Sequence, residues 1–305
     1  MQAAAAAAGI RTSAGLSHDH AAEEFCIHFA RNCVRPGCSD NYAPFLEYLQ
    51  SRNFTVSSDP EELEGIFRLM DQFRVLCSNH SGHFGDIRVN RHIEHEVKNT
   101  YLREYAIGNE ERFFPGQIVL ITKNDNVLNL VNGYVGFCAF LKDDATTATG
   151  AAPSAGADGS APAETATAAA GAASTAASAA ATGRSRRQKI RLDDGSRRLR
   201  VFIPMGIVER DGRSVLDVNI ISPMLLTSCE SGFAMSVHKS QGSEYDRVCI
   251  MLSDRPNRVL TRELVYTAIT RAKKSVQLLG PKASLSSSLA RSVERASGLA
   301  LRLRN

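Results

Sequence analysis

A run of small polar residues at positions 234–246, with the sequence AMSVHKSQGSEYD, contains the residue types best suited to ligand chemistry. Hydroxyl, imidazole and amide groups beside a glycine suit contacts with phosphate and ribose better than they suit core packing. Ser236 and His238 could donate to backbone phosphates, and Gly242 could let the chain approach a polyphosphate or DNA closely. Glu244 could accept a hydrogen bond from a ribose hydroxyl. The alternative is a polar turn whose side chains cap the loop itself.

A single arginine stands out in the helix predicted at about 261–273. Arg271 shares one face of that helix with Leu264 and Thr267 by the 3.6-residue period. An arginine at the end of a largely buried helix needs an anionic partner. That partner is either a carboxylate such as Glu263, which makes a salt bridge, or the γ-phosphate of a nucleotide, where a guanidinium stabilises charge in phosphoryl transfer. Spacing alone leaves both alternatives open.

Composition limits how much of the 305-residue chain can form a core. Residues 145–183 are almost entirely Ala, Thr, Gly and Ser, so alanine inflates the apolar fraction of 43%. Such a stretch cannot bury enough apolar area to order itself, and it is predicted to be a disordered insertion. The net charge of +4 is modest, but residues 184–200 are rich in Lys and Arg. That cluster fits either a polyanionic partner or a solvated basic loop.

The seven cysteines occur without a C-x-x-C pair, which favours reduced thiols in an intracellular protein. The compartment would be cytoplasmic in a bacterium, or the nucleus or an organelle in a eukaryote. No apolar run approaches the ~18 residues of a membrane span. Histidines and cysteines concentrate near the start, but their spacings match no standard zinc signature, so no metal site is predicted. These residues are His18, His20, Cys26, His28, Cys33 and Cys38.

Before residue 108 a buried strand, a glycine-containing loop and a helix are predicted in succession, an order that is typical of an α/β fold. After a disordered leader at 1–22, helices are predicted near 23–30 and 42–50. A third helix begins after Asp59, a good N-cap, and a buried strand follows at 73–78. The polar loop 79–85 then leads into an amphipathic helix. A ligand-facing loop at the carboxyl end of a strand is expected from this order.

A β module is predicted at 109–229, between two parts of the α/β domain. Its expected strands are 117–122, 128–131, 134–140, 198–204 and 215–221. Asn132-Gly133 is a strong hairpin signal between the second and third of them. Together the strands suggest a small β barrel. The α/β pattern resumes at 230–284 with a strand at 247–252 and another at 275–279, and a tail is expected at 285–305.

Two segments of the chain resemble conserved motifs of superfamily 1 helicases. The sequence VHKSQGSEYD at 237–246 is similar to motif V of the RecD type, and VYTAITRA at 265–272 is similar to motif VI. Shorter stretches at 73–77, 124–136 and 294–300 extend the resemblance to RecD. It covers about 40–142 and 195–302, and the combination of motifs V and VI is highly specific for the superfamily.

The resemblance implies a RecA-like, P-loop-NTPase-type second motor domain interrupted by an SH3-like β barrel. It implies the motor of a 5′→3′ DNA helicase, with Arg271 as its arginine finger. ATP and Mg²⁺ would be cofactors. The partners would be single-stranded DNA, an N-terminal motor domain and RecB- and RecC-like subunits. No interaction with a membrane is expected. The candidate nucleotide contacts are Gln241, Gly242 and Glu244. The candidate DNA contacts are Ser236, His238, Lys239 and Thr267.

The sequence also departs from a complete motor. The 305 residues contain no G-x-x-x-x-G-K-[ST] motif, and no apolar strand ends in Asp-Glu. Without a phosphate cradle and a metal carboxylate, the chain cannot position ATP and Mg²⁺ alone. We therefore expect the C-terminal motor half of a helicase, inactive without an N-terminal partner. The alternatives are a non-catalytic DNA-binding or assembly module, or a remnant without function. His80 stands where bacterial RecD tends to carry an arginine, which puts any charge contact of that loop in doubt.

Overall fold

The computed structural model describes residues 18–107, 111–142, 198–210, 212–254 and 258–292. Most of the predicted leader, the alanine-rich insertion at 145–183, the basic stretch up to residue 197 and the tail from residue 293 lie outside the described residues. Among the described helices, none has the combination of length and hydropathy that a membrane span requires.

The chain begins with helices that pack against a short strand and a buried one. In order these are α1 (His18–Cys33), α2 (Ala43–Ser51), β1 (Thr55–Val56), α3 (Pro60–Met70), β2 (Phe73–Cys77) and α4 (Asp86–Tyr101). Helix α1 is longer than predicted and takes in residues 18–22 of the expected leader, because Ala22, Cys26 and Phe29 continue one buried stripe. Helix α3 starts as predicted, since the Asp59 side chain accepts from the amide of Glu61 at 3.4 Å.

Most of the strands follow α4. They are β3 (Ile118–Ile121), β4 (Val135–Leu141), β5 (Arg198–Arg210), β6 (Arg213–Ile221), β7 (Cys229–Ser231), β8 (Ala234–Ser236), β9 (Tyr245–Met251) and β10 (Ala272–Leu279). Two further helices are α5 (Arg262–Ile269) and α6 (Lys282–Ala290), and short 3-10 helices occupy Pro223–Leu225 and Val237–Ser240.

Four strands form a parallel sheet in the order β10-β9-β2-β8. All five residues of β2 are buried, as expected for an inner strand covered on both faces. Strand β9 pairs with β2 on one side and with β10 on the other. The alternation of strands and helices therefore produces the predicted α/β arrangement.

The other sheet is antiparallel along the path β6-β5-β4-β3-β7, and β1 adds to it by parallel pairing with β4. Its phenylalanines share a core with the helices: Phe137 stacks on Phe202 at 5.1 Å between centroids and meets Phe45 and Phe67 edge-on. The strands expected in the module at 109–229 thus pack against the helices, and the bounds of that module stay a prediction. Within the described residues the pairing path is open from β6 to β7, and an SH3-like barrel stays a prediction.

The predicted strand at 128–131 is wrong, although the turn at Asn132-Gly133 exists. The Asp125 side chain accepts from the amides of Val127 and Leu128, and the main chains of Asp125 and Leu130 bond each other, so this segment folds back on itself. The hairpin instead joins β3 to β4. Its Gly133 has a φ of +96°, which suits glycine at the turn.

The predicted helix at 261–273 ends early, at Ile269. Strand β10 begins at Ala272, which pairs with Tyr245 of β9, so the chain must leave the helix before that point. Arg271 consequently lies in the turn between α5 and β10 and not on the helix. The Thr261 side chain caps the start of α5 by accepting from the amide of Leu264 at 3.3 Å.

Candidate functional site

The polar loop lies at the carboxyl end of β8, where ligands bind in open α/β sheets. A 3-10 turn at 237–240 follows the strand, and a tight turn at 241–242 leads into β9. Gly242 has a φ of +89°, a conformation that side-chain-bearing residues rarely adopt. Ser240 is buried and donates to the carbonyl of Val237 at 2.7 Å, so this serine stabilises the turn. Loop shape is thus set by Gly242 and Ser240.

Arg271 meets the end of this loop directly. Its Nη1 donates to the carbonyl oxygen of Ser243 at 3.1 Å, and its Nε donates to the carbonyl of Thr267 at 3.3 Å. The amide of Tyr245 in turn donates to the carbonyl of Arg271 at 2.8 Å. The structure therefore brings the two predicted segments together. Within the described residues Arg271 has no carboxylate partner, so the structure does not show the alternative in which Arg271 forms a salt bridge to a carboxylate such as Glu263.

Three candidate side chains have no hydrogen-bond partner among the described residues. Within the described part of the chain, Ser236, His238 and Gln241 make no side-chain hydrogen bond. His238 and Gln241 are exposed, and Ser236 is half-buried. Unsatisfied donors and acceptors on a surface loop are available to a ligand without any cost of breaking an internal bond.

Three other candidates already have partners. Lys239 forms an ion pair with Glu230 of β7, and both side chains are about one-third exposed. Glu244 lies 3.7 Å from Lys273, an exposed pair of little energetic weight. The Thr267 hydroxyl donates to the carbonyl of Glu263 within α5, at 2.8 Å. Any DNA or nucleotide would therefore have to compete for Lys239 and, less strongly, for Thr267.

A cleft of about 680 Å³ lies between the end of the loop and the antiparallel sheet. Ser243 and Glu244 line one side, and Tyr134 and Leu216 line the other. The charged residues that line the cleft include Asp71. Burial raises the pKa of its carboxyl group, and Arg74 opposes that shift. Among the predicted nucleotide contacts only Glu244 borders this cleft, so the structure does not gather Gln241, Gly242 and Glu244 around one cavity.

A buried acid that sequence reasoning missed directly follows the loop at 79–85. Asp86 begins α4, and its Oδ1 lies 2.7 Å from Nδ1 of His80. Burial raises the pKa of this carboxyl, with Glu230 adding to the effect and His80 and Lys239 opposing it. His80, which had put the charge contact of this loop in doubt, thus contacts Asp86.

Other functional residues were missed because their partners come from distant parts of the sequence. Glu230 and Lys273 gave no signal, since each is an ordinary charged residue on a strand. Arg74 did give a signal, because a lone arginine in a buried five-residue strand must be satisfied internally. Asn90 gave a similar one, because it stands beside Val89 and one turn before Ile93 on the buried side of α4.

The cysteines and histidines near the start do not converge. Among the described residues no group of three or more His, Cys, Asp or Glu side chains could hold a metal ion. Burial is the main reason that the pKa of the Cys26 thiol is raised to about 12, and burial also raises the pKa of the Cys33 thiol. Thiols of this kind are poor metal ligands and poor nucleophiles at neutral pH.

Comparison with known proteins places the site segments among helicases. Residues 231–279 match the UvrD-like helicase C-terminal domain family. Over 80 residues the chain is 48% identical to the RecBCD enzyme subunit RecD of Mycobacterium tuberculosis, which covers 26% of this chain and 14% of that subunit. A longer alignment, 24% identical over 296 residues, covers 92% of this chain and 35% of RecD from Haemophilus influenzae. The chain thus spans 14% to 35% of the length of these relatives.

Two solved helicase structures align with much of the chain. Bacteroides Pif1 bound to single-stranded DNA is 11% identical, with 87% of this chain and 52% of that chain covered and a TM-score of 0.28. Pif1 from Candida albicans is 15% identical, with 62% and 38% covered and a TM-score of 0.23. These TM-scores are too low to establish a shared fold.

Proposed function

We propose, for a chain whose sequence is similar to the C-terminal portion of RecD-type superfamily 1 helicases, that it is the C-terminal motor half of an ATP-dependent 5′→3′ DNA helicase. In this role the loop at 236–242 contacts single-stranded DNA, and Arg271 acts as the arginine finger in ATP hydrolysis. The parallel sheet is then the second RecA-like domain, and DNA unwinding in recombinational repair is the process it serves.

The observation that carries this proposal is the hydrogen bond from Arg271 to the carbonyl of Ser243. It joins the turn that holds the candidate finger to the loop that holds the candidate DNA contacts. A guanidinium has five donors, and Nη1, Nη2 and Nε here meet only carbonyl and hydroxyl oxygens. Among the described residues no carboxylate pairs with Arg271, and an anionic phosphate is a suitable ligand for its guanidinium.

ATP and Mg²⁺ would be held mainly by another domain. The sequence has no Walker A motif, and no apolar strand in it ends in Asp-Glu. An N-terminal RecA-like motor domain, on the same or another polypeptide, would provide both. RecB- and RecC-like subunits are further candidate partners, because the relatives that match are subunits of a RecBCD enzyme.

One observation favours a second candidate, a non-catalytic DNA-binding or assembly module. Arg271 already makes three intramolecular hydrogen bonds, as a purely structural arginine would. In that case the exposed side chains of His238 and Gln241 would still bind single strands through phosphate contacts and stacking. Coupling of that binding to ATP distinguishes the two candidates.

The test measures DNA binding and ATP hydrolysis with and without a RecD-type N-terminal motor domain that carries a Walker A lysine. We expect the chain alone to bind a labelled oligo(dT) in a salt-sensitive manner and to hydrolyse no ATP. Addition of the motor domain should produce DNA-stimulated hydrolysis, and a Walker A Lys→Ala version should not. Turnover by the chain alone would contradict the proposal, and DNA binding without ATP coupling in the mixture would favour the second candidate.

The ion pair between Lys239 and Glu230 leads to a prediction about affinity. Glu230→Gln removes the carboxylate that now holds the ammonium group of Lys239, so Lys239 becomes free to bind phosphate. We expect affinity for oligo(dT) to rise about threefold at low salt, with a smaller gain at high salt, as for other partly exposed ion pairs.

Asp217→Asn is the matched control, because it removes the same charge from the exposed pair with Arg210 on the antiparallel sheet. It should leave affinity unchanged. The gain from Glu230→Gln should also disappear when Lys239→Ala is added. An equal gain from both single variants would show that net charge alone, and not Lys239, is responsible.

A further inference from the structure

Residues 231–234 connect the two sheets, and we name this segment the joint. Ser231 ends β7, and Ala234 begins β8, which carries Ser236 at its end. The joint is irregular and largely buried, so its carbonyl groups cannot rely on water. Each of its four successive carbonyls instead accepts a hydrogen bond from a side chain. The donors are Asn90, Arg74 and Tyr42, all of which are buried.

Asn90 of α4 holds both ends of the joint. Its Nδ2 donates to the carbonyls of Ser231 at 3.0 Å and Ala234 at 2.7 Å, and its Oδ1 accepts from the amide of Ala234 at 2.6 Å. Strand β8 lies at the edge of the parallel sheet, next to β2 alone. The amide of Asn90 therefore bonds this edge strand as a neighbouring strand would, through one donor and one acceptor on the same residue.

Arg74 and Tyr42 hold the middle of the joint. Nη1 of Arg74 donates to the carbonyl of Gly232 at 2.6 Å, and its guanidinium lies 4.8 Å from the ring centre of Tyr245. The hydroxyl of Tyr42 donates to the carbonyl of Phe233 and accepts from the amide of Val75 at 3.3 Å. Arg74 thus contacts both the joint and the residue at which the polar loop enters β9.

We propose that Asn90, together with Arg74 and Tyr42, is a positioning residue that sets the place and register of the loop at 236–242. The importance of this positioning for DNA binding rests on the proposed function. The physical basis of the positioning is that a shift of the joint by one residue would break the side-chain hydrogen bonds to its four successive carbonyls and to the amide of Ala234. The loop begins two residues after the joint, so a displacement of the joint would also displace the candidate DNA contacts of the loop.

The antiparallel sheet is connected to the loop through the same contacts. The amide of Gly232 donates to the carbonyl of Ile118 in β3 at 2.8 Å. The antiparallel sheet and Ser236 are therefore connected by a hydrogen-bonded segment, so a displacement of that sheet would also displace Ser236. Asn90 is the member best suited to a test, because it has no charge and no contact with the candidate ligand site.

The test compares Asn90→Ala and Asn90→Asp with Gln117→Ala by hydrogen–deuterium exchange and oligo(dT) affinity. Asn90→Asp keeps the acceptor for Ala234 but replaces both donors by a carboxylate oxygen facing carbonyls. Gln117 is an equally buried amide whose bonds go to Phe114 and Glu94. In both Asn90 variants, we expect exchange of a peptide covering 233–242 to accelerate about tenfold and affinity to fall about tenfold.

Gln117→Ala should lower the melting temperature while leaving exchange at 233–242 and oligo(dT) affinity unchanged. Exchange there that stays at the wild-type rate in Asn90→Ala would overturn the proposal. If either Asn90 variant fails to fold, Asn90→Ser, which keeps one donor and one acceptor, should show an intermediate acceleration. The exchange result does not depend on DNA, so absence of oligo(dT) binding by the wild-type chain would reject the proposed function and leave this inference testable.

Discussion

Arg271→Ala is expected to lower DNA-stimulated ATP hydrolysis by about a thousandfold or more in a motor reconstituted with an N-terminal domain, the range known for arginine fingers. In the proposed role, the planar guanidinium, placed at the turn before β10, would stabilise charge on the transferred phosphoryl group. Oligo(dT) affinity should change by less than about threefold, because Ser236 and His238 keep their positions on the other side of the loop. Steady-state hydrolysis and fluorescence anisotropy measure the two quantities.

Two further variants separate catalysis from structure. Arg271→Lys keeps the charge but loses the fork-shaped set of donors, so hydrolysis should remain strongly impaired. Lys274→Ala removes an exposed cation three residues away, which pairs with Asp246 at 2.7 Å, and should be nearly silent. If Arg271→Ala instead weakened DNA binding and hydrolysis equally, its bond to the carbonyl of Ser243 would be the role that matters.

Arg74→Ala is expected to reduce the free energy of unfolding by about 3–5 kcal/mol, because it combines a large cavity with an unpaired buried carbonyl at Gly232. The side chain is completely buried, and its charge is retained in the fold: burial opposes ionisation, but Tyr245, Tyr42 and Asp71 together raise the pKa of the guanidinium. Equilibrium unfolding in urea measures the loss.

Arg74→Met is the matched variant, since it refills most of the volume while still removing the hydrogen bonds to the carbonyl of Gly232 and the carboxylate of Asp71. Its loss should be smaller, about 1–3 kcal/mol, because replacement of a buried charge by an apolar side chain removes the cost of desolvating that charge. Equal losses for Ala and Met would show that the hydrogen bonds of Arg74, and not its volume, dominate. No loss for either variant would contradict the role of Arg74 in the joint.

The cleft and the loop suggest a division of roles within the candidate site. Glu244 borders the cleft beside the antiparallel sheet, whereas the side chains of half-buried Ser236 and of exposed His238 and Gln241 have no hydrogen-bond partner among the described residues. A nucleotide held against another domain and a DNA strand would therefore meet different sides of one loop. The bond between Arg271 and Ser243 lies between those sides, which makes it the contact through which one ligand could influence the other.

Local chemistry explains which parts of the fold could be predicted. Helix α3 was predicted from Asp59, Pro60 and the spacing of Leu63 and Ile66, because a cap and an apolar stripe act within a few residues. Strand β2 was predicted from its apolar run. Errors arose where distant pairing overrode local pattern: α5 was predicted too long because β10 must begin opposite Tyr245, and 128–131 was predicted as a strand because the Asp125 turn was not recognised.

The sequence by itself determined the chemistry available: a polar loop with one glycine, an arginine on a predicted helix, and their resemblance to helicase motifs V and VI. Only the tertiary structure decided which of these groups are free. Parallel pairing of β9 with β10 placed Arg271 against Ser243, and β7 placed Glu230 against Lys239. The joint shows the same limit, because Tyr42, Arg74 and Asn90 are far from residues 231–234 in sequence. Hydrogen bonding at such separations depends on packing, and no local pattern encodes it.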